Sequence, residues 1–75
     1  MTTTEILETV KNWEQRAFIE IKVEDYIVKG YFMSFEHNIL KYLHFYSTNS
    51  VYDVGKPMQV DANKIKSLKL AFSRF

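Results

Sequence analysis

Residues 26–47 read YIVKGYFMSFEHNILKYLHFYS. Two runs rich in aromatic and β-branched residues flank a polar Glu36-His37-Asn38, the pattern of two strands joined by a turn. The first run, Tyr26 to Phe35, is apolar on both faces, with Ile27, Tyr31, Met33 and Phe35 against Tyr26, Val28 and Phe32. A strand of that kind is central, strongly bent, or covered by a second layer. Gly30 in its middle predicts a bend, a bulge or the close passage of another backbone. The second run, over 39–46, sets Ile39, Lys41, Leu43 and Phe45 on one face. Leu40, Tyr42, His44 and Tyr46 take the other.

The flanking segments supply the rest of a sheet. Upstream, Ile19, Ile21 and Val23 alternate with Glu20, Lys22 and Glu24, as in a strand with one wet face. Glu24-Asp25 makes a tight turn into the next strand. Before it, Ile6, Leu7, Val10, Trp13 and Ala17 recur at helical spacing, and Thr2 with Glu5 fits a capping box. The spacing predicts a helix over about 4–15. Downstream, STNS (47–50) reads as a loop, Val51 to Val54 as a short strand and GKP (55–57) as a turn. Met58 and Val60 resume the strand. DANK (61–64) suits one 3₁₀ turn that tucks Ile65 inward. Leu68, Leu70 and Phe72 then alternate with Lys69, Ala71 and Ser73. The expected fold is α+β: an N-terminal amphipathic helix, then a five-stranded antiparallel meander. Its strands fall at about 17–24, 26–35, 39–46, 51–60 and 67–73, as an open sheet or a small closed barrel.

Seventy-five residues make one domain. A chain this short buries only about 60% of its unfolded surface, so its own core leaves a thin margin. Cysteine is absent, which removes disulfides and cysteine-based zinc sites. An aromatic content of 16% favours a packed core, helped by self-association. No run approaches the ~18 apolar residues of a membrane span, and MTTTEILETVKNWEQR lacks the form of a signal peptide. A cytoplasmic location is the expectation. Charge is unevenly placed: residues 1–36 carry four Lys/Arg and seven Asp/Glu (−3), residues 37–75 six and two (+4). That asymmetry permits a basic patch and equally permits head-to-tail or acidic-partner contacts.

Gly30, with Phe32 two residues on, Phe35 five on and Glu36 six on, matches the glycine, apolar and acidic pattern of Sm-type proteins. The ending MQVDANKIKSLKL is similar to the strand, turn, Ile, strand ending of such barrels. Over residues 4 to 72 the chain thus resembles small Sm-like or SH3-like β-barrel proteins, including the YolD-like proteins of Gram-positive bacteria. The resemblance implies a barrel and, with it, a ring of subunits. Sm proteins place an RNA-contacting asparagine about ten residues after that glycine. Here the position holds Leu40, with Asn38 out of register.

Chemistry-bearing residues are few. His37 and His44 suit acid–base or metal work in principle, with Glu36, Asp53 and Asp61 as the nearby carboxylates. None has metal-ligand spacing. There is no GxSxG, two glycines cannot build a phosphate-cradling loop, and Glu24 with Asp25 fall in a turn. The chain therefore reads as non-enzymatic, with no cofactor and no metal. Tyr42, His44 and Tyr46 form an aromatic strip. Pointing outward beside Lys41, Lys64, Lys66, Lys69 and Arg74, it would stack bases and hold phosphates. Covered by Trp13 and Val10 of the helix, or by a second subunit, it would be packing, and the apolar surface and balanced charge favour that reading. Lys64, Lys66 and Lys69 suit a solvated edge strand. Phe75 in the terminal FSRF is free to fray unless it docks, on the partner subunit or on its own helix.

The sequence as a whole reads as a small binding module that self-associates, a homodimer first and a ring second. Its function is expected to be that of a protein-interaction regulator, adaptor or inhibitor. Its Ile-, Lys-, Asn- and Tyr-rich usage resembles that of low-GC bacteria and their phages. The alternative is an RNA- or DNA-binding protein. In either case the interaction surface is expected among Tyr42, His44, Tyr46, Lys64, Lys66, Lys69, Arg74 and Phe75.

Overall fold

The computed structural model describes residues 1–48 and 54–71. Expectations that fall on 51–53, 72 and 73, and those for Asp53, Arg74 and Phe75, lie outside the described residues. A helix, α1 (Thr3–Val10), precedes five strands: β1 (Phe18–Val23), β2 (Tyr26–Glu36), β3 (Ile39–Ser47), β4 (Pro57–Asp61) and β5 (Ile65–Leu70). A 3₁₀ turn, Ala62–Lys64, separates the last two. The strands form one antiparallel sheet in the order β4-β3-β2-β1-β5, so β4 and β5 are its two outer strands. The sheet is not closed into a barrel.

Local chemistry sets the connections. In the β2–β3 hairpin both loop residues, His37 and Asn38, have positive φ (52° and 66°), as a type I′ turn requires. Asparagine and histidine tolerate that region better than most residues. Asn38 also ties other elements to the turn. Its side-chain oxygen accepts from the Thr3 hydroxyl, and its carbonyl accepts the Ala62 N–H at 2.9 Å. The expected capping box is present: Thr2 Oγ1 accepts the Glu5 N–H, and the Glu5 carboxylate accepts the Thr2 N–H.

The helix is shorter than the 4–15 expected. Its apolar period continues to Trp13, but the chain leaves the helix at Lys11 because it must meet the sheet soon afterwards. The Arg16 N–H donates to the Phe32 carbonyl at 2.6 Å, and the Phe32 N–H donates to Ala17 at 2.8 Å. Trp13 turns in instead and meets the Phe32 ring edge-on at 5.5 Å. Residues 54 and 55 form a turn, so the fourth strand begins only at Pro57. The last strand starts two residues before the expected 67, because Ile65 pairs with Val23 directly after the 3₁₀ turn.

The core lies on the inner side of the sheet. Ile19 and Ile21 of β1, Val28 and Phe32 of β2, and Leu40 and Tyr42 of β3 meet Ile65 and Leu68 of β5 there. Ile6 and Val10 of α1 close it from the β5 side. Ile65 is fully buried, as the 3₁₀ reading required. An outward strip on β3 would need Ile39, Leu43 and Phe45 to fill the core; they are half-buried, while Leu40, Tyr42 and His44 turn inward. Gly30 explains the choice. A Cβ there would stand 2.9 Å from Tyr42 Cδ2, so the missing side chain is the room the tyrosine ring uses.

Candidate functional site

The expected strip Tyr42, His44 and Tyr46 is divided by a β-bulge. Lys29 pairs with Tyr46, but the next residue, Gly30, pairs with His44, which leaves Phe45 as the extra residue. A one-residue slip moves a side chain to the opposite face of a sheet. Tyr42 and His44 are therefore buried at 5% and 2% exposure, whereas Tyr46 lies across the sheet at 46%. The strip does not point outward as a unit: Tyr42 belongs to the buried core with Val10, and Trp13 packs against that core.

Tyr42 and His44 form part of an inner cleft of about 260 Å³. Tyr26 and Ser47 line it with them, and Asp61 and Lys64 stand at its rim. Burial holds the His44 imidazole pKa below the usual histidine value, so it is neutral near pH 7. The volume falls short of the roughly 300–1,000 Å³ of a typical small-molecule site and suits a side chain or a very small ligand. Among the described residues no three His, Asp or Glu side chains gather to hold a metal ion. No helix among them is long and apolar enough to cross a membrane.

The other face of the sheet carries a more extended feature. Phe18 pairs with Tyr31, Tyr31 with Leu43, and Leu43 with Pro57. Directly paired residues share a face, so these four make one apolar row across four strands. Phe45, released by its bulge, joins them. Its ring stands 5.4 Å from Phe18 and 6.2 Å from Tyr31, both near perpendicular, and Phe18 lies 5.2 Å from Tyr31. Met33 is the extra residue of a second bulge, between the pairs Phe32–Tyr42 and Ser34–Lys41. It is 39% exposed and lines an open groove of about 460 Å³ with Lys41, Pro57, Met58 and Gln59.

Charged rows frame the apolar one. On one side Lys69, Glu20, Lys29 and Tyr46 stand in register, with Lys69 Nζ 3.5 Å from Glu20 Oε2. Lys22 lies one pair beyond Glu20 on the same face, and Lys41 stands on the far side of the row. An apolar centre with a polar rim is the anatomy of a recognition surface.

The lysines expected together are thus spread out. Lys64 reaches the inner cleft, Lys66 is the extra residue of a bulge on β5, and Lys69 faces outward beside Glu20. Tyr42, His44 and Lys64 share one site. Tyr46 and Lys69 share the opposite face. The outer row of Phe18, Tyr31, Leu43, Phe45 and Pro57 escaped a reading confined to single strands. The signal available was Lys41, whose charge marks the Ile39–Leu43–Phe45 side of β3 as the wetter one. No family model matches the chain, and neither a curated protein nor a solved structure matches it.

Proposed function

We propose that this chain is a non-enzymatic binding module, a cytoplasmic protein-interaction regulator, adaptor or inhibitor that also self-associates. The observation that carries the reading is the outer apolar row. Four strands contribute to it, while α1 and Trp13 add their apolar side chains to the inner core. A large apolar patch ringed by polar groups supports a docking role over a catalytic one.

The outer strands β4 and β5 support self-association. Lys66 and Lys69 on β5 oppose pairing with an identical β5, but they accept a strand that carries acid. β4, at the other edge, carries Asp61. Head-to-tail pairing of β5 with a neighbour's β4 puts opposite charges together and closes a ring where the rotation allows. The Sm-like resemblance points the same way. Mass in solution tests it: a plain 8.9 kDa species at tens of micromolar overturns self-association.

A second reading, binding of RNA or DNA, is favoured by Lys22, Lys29, Lys41 and Lys69 around aromatic residues on one face. Added salt separates the two. Affinity for an oligonucleotide falls steeply with salt concentration, whereas an apolar protein dock hardly responds. Absence of oligonucleotide binding at low salt removes the second reading.

A further inference from the structure

The apolar row of Phe18, Tyr31, Leu43 and Pro57 lies midway between two charged ends of the outer face. At one end Lys22 stands beside its pair partner Ile27, one row past Glu20, Lys29 and Lys69. At the other end Glu36, Ile39 and Asp61 form the last row, one row past Lys41. Charges of both signs are thus present, and they are arranged by position along the strands. A peptide of one sign, or an oligonucleotide, would be drawn to one end of this face and opposed at the other.

We propose that the outer face is a twofold interface with a second copy of the chain, its rotation axis running along the apolar row. An axis that packs one face on its own copy lies in the plane between the two, and each contact then occurs twice. Directed along the row, the axis lays the apolar row on itself and carries each end of one copy over the opposite end of the other. Lys22 and Ile27 then meet Glu36 and Ile39, which matches charge with charge and apolar with apolar. Lys41 meets the exposed ring of Tyr46, a cation over an aromatic face. Beyond Lys22, the turn that carries Glu24 and Asp25 faces the His37-Asn38 turn of the other copy. Directed along the strands instead, the axis would return each end to its own kind, Glu36 to Glu36 and Lys29 to Lys29, which like-charge repulsion opposes. Strands about 4.8 Å apart that rise about 3.3 Å per residue give the sheet a face of roughly 600 Å². Two such faces bury roughly 1,200 Å², the lower end for specific interfaces, so the pair should form at micromolar concentration.

The proposal rests on the reading that the chain self-associates, and it assigns a contact separate from the head-to-tail pairing of β5 with β4. Within one subunit Lys22 and Glu36 cannot meet: Ile27, beside Lys22, and Glu36 lie near opposite ends of β2, on the order of 25 Å apart. Rescue of one by the other therefore reports contact between copies. The test is sedimentation equilibrium of the chain carrying Lys64→Glu and Lys66→Glu, which reverse the charges of the head-to-tail contact. The expected species at tens of micromolar has twice the 8.9 kDa mass of the chain. Adding Lys22→Glu or Glu36→Lys should raise its dissociation constant about ten-fold, and adding both should bring it back. Both positions are exposed, so the fold should tolerate the changes, and thermal melts check this. Leu7→Ala, on the exposed side of α1, should leave the mass unchanged. A monomer in this background, where the unaltered chain is larger, overturns the proposal and leaves the edge contact standing. A monomer in both overturns self-association and the proposal with it. A dimer indifferent to the single reversals, or one that their combination fails to rescue, overturns the proposal alone.

Discussion

A Cβ built on Gly30 would lie 2.4 Å from the carbonyl oxygen of Leu43, closer than real Cβ contacts come. The obstacle is backbone on a paired central strand, so it cannot swing aside. Gly30→Ala is expected to destabilise the protein by about 3 kcal/mol, the upper end of the usual range for overpacking. Gly55 supplies the comparison. Its φ is +85° and nothing lies within 4 Å of a Cβ there, so Gly55→Ala incurs only the left-handed backbone cost of about 1–2 kcal/mol. Urea midpoints of the two variants decide the matter, and equal losses would mean that the strands do not approach so closely.

His44 makes stability depend on pH. Burial lowers its pKa in the folded state, so the folded protein resists protonation more than the unfolded chain does. The stability associated with neutral His44 is fully present above the unfolded value of about 6.5. It is lost as pH falls from there through the lower folded pKa. Urea midpoints should decline as pH falls below that unfolded value, and His44→Gln should flatten the decline.

The capping box acts at more acidic pH. Hydrogen bonds from the Thr2 backbone and side chain lower the Glu5 pKa. The contribution of Glu5 is therefore present above its ordinary pKa and is lost as pH falls through the depressed one. Glu5→Gln should remove that acid-side component. Thr2→Ala should cost about 1 kcal/mol at neutral pH by leaving a helix N–H without its cap. A thermal melt unchanged by Thr2→Ala would show that α1 is held by Ile6 and Val10 alone.

Local chemistry was legible in the sequence wherever one residue type has one use. Thr2 and Glu5 marked the helix start, Glu36-His37-Asn38 the hairpin, and Asp61 to Lys64 the 3₁₀ turn that buries Ile65. Gly30 announced a close backbone passage, and the Leu43 carbonyl makes it. The facing of β3 was harder to read. Both of its faces are largely apolar, so period-2 alternation had only the charge of Lys41 with which to choose between Leu40–Tyr42–His44 and Ile39–Leu43–Phe45. The bulges at Phe45 and Met33 then shift parity within a strand; Gly30, at the first register shift, is a signal for one of them, and no residue type marks the other. A surface assembled from rows across strands, like Phe18–Tyr31–Leu43–Pro57, depends on register, which local pattern does not contain.

The edge contact proposed for self-association can be tested by charge exchange. If Asp61 at the end of β4 meets Lys66 or its neighbours on the β5 of the next subunit, either reversal alone places like charges together. Asp61→Lys, and Lys64→Glu with Lys66→Glu, should each shift the solution mass toward 8.9 kDa. Combining the reversals restores the opposite signs and should bring the larger species back, since the pair of edges then differs only in which side carries which charge. All three residues are exposed, so the fold should survive each change. If the single reversals leave the mass unaltered, the edges are not the contact. If they dissociate the assembly and the combination fails to rescue it, the charges matter to assembly but do not face one another.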